Sequence, residues 1–165
     1  MEYISTRNTQ KTFSFKDVFL KGLAPDGGLF VPKKIPSYSS QELEKLRDLS
    51  YRDLAEKIIL KFCSDEFSKA EIKNFVNNSY KNFRVQDVVS IKKLGKTNLL
   101  ELFHGPTLAF KDIAMQVIGN MYEKILEKNN LKVNIVVATS GDTGAAAISA
   151  IRDRKNIKIF VLHPD

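Results

Sequence analysis

Apolar residues recur at helical spacing up to about residue 85, and from Val88 onward they come in short continuous runs alternating with helical stripes. In the first half, Leu54, Ala55, Ile58, Ile59 and Phe62 follow Ser50 on one face and predict a helix over Tyr51–Phe62. Ile72, Phe75 and Val76 repeat the pattern more briefly. Ser39 with Glu42, and Ser68 with Glu71, have capping-box spacing, in which hydroxyl and carboxylate satisfy free N–H groups at a helix start. Two further helices are expected there. Upstream, Gly22-Leu23-Ala24-Pro25-Asp26-Gly27-Gly28-Leu29-Phe30-Val31-Pro32 reads as a turn followed by a short extended stretch, because Pro fixes φ and the glycines then free it. Residues 1–85 are therefore expected to be mostly short helices.

In the second half, Val88–Leu94 and Leu99–Phe103 are strand candidates separated by the turn-rich Gly95-Lys96-Thr97-Asn98, consistent with a hairpin. After His104-Gly105-Pro106-Thr107 breaks the chain, Phe110, Ile113, Ala114, Val117, Ile118, Met121, Ile125 and Leu126 form a helical stripe lasting to about Lys128. A strand at Asn134–Thr139, a loop at Ser140–Gly144, a helix at Ala145–Asp153 and a strand at Ile157–Leu162 complete the pattern. Strand and helix alternation of this kind describes one side of a parallel α/β sheet. The runs Ile135–Ala138 and Ile159–Leu162 are continuous rather than alternating, as strands are when both sheet faces are covered. No later helix or strand follows within the 165 residues, so the sheet reads as truncated.

Composition narrows the function classes. With 43% hydrophobic residues, the chain has an ordinary globular balance. Its N-terminus lacks the apolar core of a secretory signal, and no apolar run approaches the ~20 residues of a membrane span. The expectation is a soluble, cytoplasmic protein without a membrane partner. A single cysteine, Cys63, excludes an internal disulfide and a zinc finger, and no metal site is expected. Cys63 and His163 accompany no motif and read as structural. The formal charge of +7 is spread among pairs such as Lys33-Lys34 and Lys92-Lys93, without the aromatic interleaving of a single-strand binder. A solvated lysine-rich surface accounts for it, and no nucleic-acid partner is expected. The sequence carries no marker of oligomeric state.

Two loops lie where an α/β sheet places its ligands, between strand ends and helix starts. In His104-Gly105-Pro106-Thr107-Leu108-Ala109-Phe110-Lys111-Asp112, Lys111 falls at a helix start, where the macrodipole disfavours a cation. An amine in that field, beside apolar Phe110 and Ile113, suits nucleophilic or Schiff-base chemistry. A surface lysine paired with Asp112 is the plain alternative. In Ser140-Gly141-Asp142-Thr143-Gly144, small residues and two hydroxyls sit on a turn into a helix, which suits a carboxylate or phosphate. The loop matches neither a Walker motif nor a dinucleotide fingerprint, and an ordinary capped turn is its plain alternative.

These two motifs, Leu102–Asp112 and Ala138–Ala146, with the Gly22–Pro32 stretch, resemble the threonine synthase family. The resemblance covers essentially the whole chain. It implies an α/β protein with an N-terminal domain at 1–85 and the start of a pyridoxal-phosphate-binding catalytic domain of fold type II at 86–165. It also implies that O-phosphohomoserine and water become threonine and phosphate, as the last step of threonine biosynthesis. By the same resemblance Lys111 is joined covalently to pyridoxal phosphate and moves protons at the substrate's Cα and Cβ. Asp142 would orient groups near the cofactor ring, and Ser140, Gly141, Thr143 and Gly144 would hold the substrate carboxylate. Asp142 stands where many related lyases carry Asn, which matches the threonine synthase branch. Thr107 and His104 lie beside the lysine as substrate contacts, and a turn-stabilising role for the His104 imidazole stays open. The cofactor's phosphate and pyridine-nitrogen partners would lie beyond Asp165, so the 165 residues alone are expected to be inactive. A threonine-synthase-like phospholyase and a non-catalytic anion-binding module of the same fold are the alternatives.

Overall fold

The computed structural model describes residues 1–163; Pro164 and Asp165, which close the second expected domain, lie outside the described residues. The chain forms two compact units, Met1–Asn74 and Phe75–Asp165.

The first unit opens with three short strands, β1 (Tyr3–Ser5), β2 (Thr12–Phe13) and β3 (Phe30–Pro32), in an antiparallel sheet of order β2-β1-β3. Between β2 and β3 lies α1 (Phe15–Lys21), which Ser14 and Asp17 start with a capping box. This small sheet adds strands to a region that is, as expected, mostly helical. Its strands are two or three residues long, too short to show a period, and β1 finds its partners far along the chain, Tyr3 opposite Phe13 and Pro32. The Pro25–Gly28 turn does form. Asp26 accepts from the Ser5 hydroxyl at 2.7 Å and the Gly28 N–H at 2.9 Å, and these two bonds hold its carboxyl below the ordinary value.

Helices α2 (Ser40–Leu46) and α3 (Tyr51–Cys63) follow, then α4 (Lys69–Tyr80), which runs across the division between the units. Each begins where its serine predicts: Ser39 and Ser50 cap α2 and α3, and the Ser68 hydroxyl accepts the Glu71 N–H. The first unit's core is aromatic. Phe15 meets Tyr3, Phe19 and Phe67 with ring centroids 6.2, 5.2 and 5.8 Å apart, and the Tyr3 hydroxyl donates to the Phe62 carbonyl at 2.6 Å. Cys63 is fully buried, and burial pushes its thiol up to about 12, which suits an inert core residue.

In the second unit, β4 (Ser90–Leu94) and β5 (Thr97–Glu101) pair as an antiparallel hairpin. The turn is tighter than the sequence predicts, because Gly95 takes φ +61 and only Gly95 and Lys96 separate the strands. Val88, fully buried at φ +66, keeps the start of the predicted strand out of the ladder. Next comes α5 (Asp112–Lys128). Asn130 ends it in the left-handed region, with the Leu131 N–H donating to the Leu126 carbonyl and the Asn130 N–H to the Glu127 carbonyl, a Schellman closure.

Strand β6 (Val133–Ala138), helix α6 (Asp142–Ile151) and strand β7 (Ile157–Leu162) form a parallel βαβ unit. The expected alternation is thus parallel only here; β5 pairs with β4, not with β6, because the two-residue turn closes the hairpin on itself. One face of β6 and β7 remains open, with Val136, Phe160 and Leu162 exposed. Among the described residues no helix is long and apolar enough to cross a membrane.

Helices α5 and α6 approach closely. A Cβ on Gly119 would sit 2.5 Å from the Ala150 carbonyl oxygen, and Ala146, Ala147 and Ala150 are buried. Gly119→Ala, which gains roughly 1 kcal/mol of helix propensity at an open site, should therefore cost about 1–3 kcal/mol through overpacking. Urea unfolding of the intact protein checks this; unchanged or raised stability would show that the helices part freely.

Candidate active site

The segment from Gly105 to Asp112 is built around one buried carboxylate. Asp112, the first residue of α5, has no exposed surface. Its Oδ2 accepts the Thr107 N–H at 2.7 Å and its Oδ1 accepts the Thr107 hydroxyl at 2.8 Å. Gly105 packs on the same carboxylate, since a Cβ there would lie 2.5 Å from Asp112 Cβ and Oδ2. Leu108 turns the chain with φ +67 and the Leu108 N–H donates to the Gly105 carbonyl at 3.2 Å. A leucine in the left-handed region is strained, and the bonds around Asp112 hold it there.

Lys111 is the N-cap residue of α5. Its amine lies 4.5 Å from the centroid of the Phe110 ring, and among the described residues no carboxylate lies within ion-pair distance of it. Asp112, its neighbour in sequence, is turned inward to Thr107 instead. The plain alternative of a Lys111–Asp112 surface pair is not what forms. Phe110, expected on the buried stripe, precedes the helix and is exposed.

His104 joins a second cluster at the foot of the hairpin. Its Nε2 lies 3.1 Å from Ser90 Oγ and 3.2 Å from Glu101 Oε2, and the Ser90 hydroxyl donates to Glu101 Oε2 at 2.5 Å. With the serine proton spent on Glu101, Nε2 carries the imidazole proton and donates to this pair. Lys92 adds an ion pair to Glu101 Oε1 at 2.9 Å. Glu101 is buried, yet the Ser90 hydroxyl first and Lys92 next hold its carboxyl down to about 2. The Arg84 N–H donates to the His104 carbonyl at 2.8 Å, so backbone and side chain of His104 are both fixed.

At the other motif, α6 begins three residues earlier than expected, which places Asp142, Thr143 and Gly144 in its first turn. Gly141 caps it without a side-chain cap bond, and the Gly144 and Ala145 N–H groups both donate to the Gly141 carbonyl. Ser140, Gly141 and Asp142 are exposed, whereas Gly144 is buried, where a Cβ would strike the Thr139 methyl at 2.6 Å. Pro106 and Thr107 share an open cleft of about 490 Å³ with Ala145, Ile148, Ser149 and Arg152. Thr107 and the α6 helix thus meet in one place; Lys111 and Ser140–Thr143 are not among the cleft's lining residues. No His/Cys/Asp/Glu cluster able to hold a metal occurs among the described residues.

The comparisons with known proteins follow the same residues. Residues 2–80 match the sequence family described as threonine synthase N terminus. Over its whole length the chain is 42% identical to threonine synthase of Schizosaccharomyces pombe, covering 34% of that protein. It also superimposes on the pyridoxal-phosphate-bound threonine synthase of Brucella melitensis with a TM-score of 0.96 and 40% identity, over 100% of this chain and 36% of that one. The chain belongs to the threonine synthase family. A threonine synthase-like 2 of Xenopus laevis is 40% identical over 99% of the chain and is covered for 35% of its length. The chain spans about a third of the length of the curated relatives it matches.

The residues missed from sequence are those that hold the loops. Ser90, Glu101 and Asp112 carry no signal in spacing, because their partners are set by the hairpin register and by the turn at Leu108. Only the Ser90–Glu101 pairing follows from the strand alternation once a two-residue turn is assumed.

Two predictions follow from these clusters. Asp112→Asn removes the charge that the Thr107 N–H and hydroxyl satisfy and turns an amide N–H₂ toward one of them, so it should cost about 1–3 kcal/mol, read by urea unfolding of the intact protein. A loss below 0.5 kcal/mol, on the order of a neutral surface change, would show that the loop does not depend on the carboxylate. For Glu101, a depressed folded pKa means that the unfolded chain protonates first. Its stabilising contribution is complete above the ordinary value of 4.5 and fades as pH falls toward about 2. Glu101→Gln should flatten the stability profile over that interval, and parallel profiles for the two proteins would contradict the cluster's role.

Proposed function

We propose that this chain supplies the lysine-bearing N-terminal portion of a threonine synthase that converts O-phosphohomoserine and water to L-threonine and phosphate. The carrying observation is the Lys111 amine, at the cap of α5 with no carboxylate partner among the described residues while the adjacent carboxylate is buried. Such an amine fits attachment of pyridoxal phosphate, because no ion pair has to be broken to free it. When bound, pyridoxal phosphate supplies the electron sink that stabilises negative charge developing on the substrate. Lys111 then takes and returns protons at Cα and Cβ, while the bond from Cγ to the phosphate oxygen breaks. Cγ gains a proton to become a methyl, and the water oxygen adds at Cβ.

In this reading Ser140, Gly141, Thr143 and Gly144 bind the substrate carboxylate through hydroxyls and N–H groups at the start of α6. Asp142 faces the cofactor ring, and Thr107 and His104 border the substrate. Residues 1–85 form the N-terminal domain and 86–165 the start of the catalytic domain. The remaining cofactor contacts are assigned outside these residues, in keeping with the chain's share of its relatives' length and the open apolar face of β6 and β7. The 165 residues alone are accordingly expected to release no phosphate above background.

A second reading, a threonine-synthase-like phospholyase that eliminates phosphate and yields a keto acid and ammonia, would use the same residues. Product analysis separates the two.

Borohydride reduction of the intact, cofactor-loaded protein followed by peptide mapping should place the pyridoxyl adduct on Lys111. Lys111→Ala should lower phosphate release by roughly 10³-fold or more. An adduct on any other lysine would overturn the assignment.

A further inference from the structure

The first unit contains a pocket that the proposed reaction leaves unused. It measures about 500 Å³ and lies between α2 and α3, closed on one side by Tyr38. This is the size of a small-molecule site. Leu46, Leu60 and the Tyr38 ring supply apolar surface, and Lys45, Lys57, Lys61 and Lys69 surround it with four ammonium groups.

Its two carboxylates are already engaged. Glu42 accepts the Ser39 N–H at 2.7 Å and the Ser39 hydroxyl at 2.9 Å, which closes the start of α2. Glu56 is buried and lies 3.8 Å from the Lys69 amine. Lys61 orders the wall, donating to the Ser37 carbonyl at 3.1 Å with its amine 3.4 Å from the Tyr38 ring centroid. Four lysines against two glutamates leave an excess of two positive charges, and Lys57 makes no ion pair among the described residues. The Tyr38 hydroxyl oxygen is buried with no hydrogen-bond partner among the described residues. A buried hydroxyl in that state is costly, and a ligand acceptor would relieve it.

We infer that this pocket binds a small organic anion, its carboxylate or phosphate facing Lys45 and Lys57 and its apolar body against Leu46 and Leu60. The Tyr38 hydroxyl donates to the ligand. Charge complementarity selects the anion, and the apolar wall favours an organic one over inorganic phosphate. The pocket shares no lining residue with those assigned to the reaction.

The test is calorimetry on the intact protein at low ionic strength with phenyl phosphate, and with inorganic phosphate as the comparison. Phenyl phosphate should bind saturably and about tenfold more tightly than inorganic phosphate. Lys45→Gln with Lys57→Gln should weaken it roughly tenfold, as expected for the loss of charge-assisted contacts. Tyr38→Phe should weaken it about threefold without lowering the melting temperature, since the hydroxyl makes no bond in the free protein and its removal relieves a buried, unsatisfied group. Lys57→Gln alone, at an exposed helical position, gives the same reading should the double variant fold poorly. Absence of saturable binding overturns the inference, as does phenyl phosphate binding that all three variants leave unaltered. A loss of Lys111 labelling without change in these affinities would count against the catalytic reading alone.

Discussion

The buried carboxylate of Asp112 is the constraint on which the arrangement around Lys111 depends. An ionised group with no exposed surface is tolerable only when its oxygens are occupied. Thr107 meets that demand twice, through its N–H and its hydroxyl, and the N-terminal end of α5 adds a favourable field. The geometry then propagates outward. Thr107 can reach Asp112 only if the chain folds back at Leu108, and the fold-back brings Gly105 so near the carboxylate that no side chain fits there. Lys111 is left at the helix cap without its sequence neighbour as a counter-ion. An adjacent lysine and aspartate thus have opposite fates, one turned inward and one left available.

A second constraint sets the spacing of the two motifs. Helix α6 is lined with alanine on its buried side, and Gly119 on α5 lets the Ala150 carbonyl come within contact. Gln116 of α5 donates to Ser149 of α6 at 3.1 Å, and Arg154 bridges the Ala150 carbonyl and Glu123. Larger side chains would separate the helices and widen the cleft between Thr107 and Ala145. The small residues of α6 therefore fix a distance relevant to a ligand, beyond their part in helix propensity. Gly144 does the same at the helix start, where Thr139 leaves room for no Cβ.

What could be read from the sequence was local. The serine caps, the α3 and α5 stripes and β7 each depend on residues within one or two turns of each other, and each formed. The β1–β2–β3 sheet was not legible, because two- and three-residue strands have no period and their pairing spans up to 29 positions between Tyr3 and Pro32. The parallel reading failed at β5 for a related reason: strand order is a property of pairing, and a two-residue turn commits β5 to β4 before any crossover begins. Around the candidate site, Lys111 stood out because a cation is disfavoured at a helix start, and the Ser140–Gly144 loop because small residues and two hydroxyls gather on a turn into a helix. Asp112, Ser90 and Glu101 did not, since a polar residue carries no mark of whether it will be buried.

The six helices among the described residues begin in two different ways, and the difference bears on where a ligand can be taken. Helices α1, α2 and α3 start on Ser14, Ser39 and Ser50, whose hydroxyls occupy N–H groups that would otherwise be free, and Ser68 does the same ahead of α4. Helices α5 and α6 start on Lys111 and Gly141 with no side-chain cap bond. An uncapped helix start leaves donors and a positive field directed outward. At α5 the inward carboxylate of Asp112 offsets that field beside a cationic side chain. At α6 the carboxylate of Asp142 also lies in the first turn, but it is exposed to solvent, which screens its charge. The proposed reaction uses the pair in this sense: a tethering amine at the start whose carboxylate is buried, and carboxylate recognition at the start that no side-chain cap bond closes.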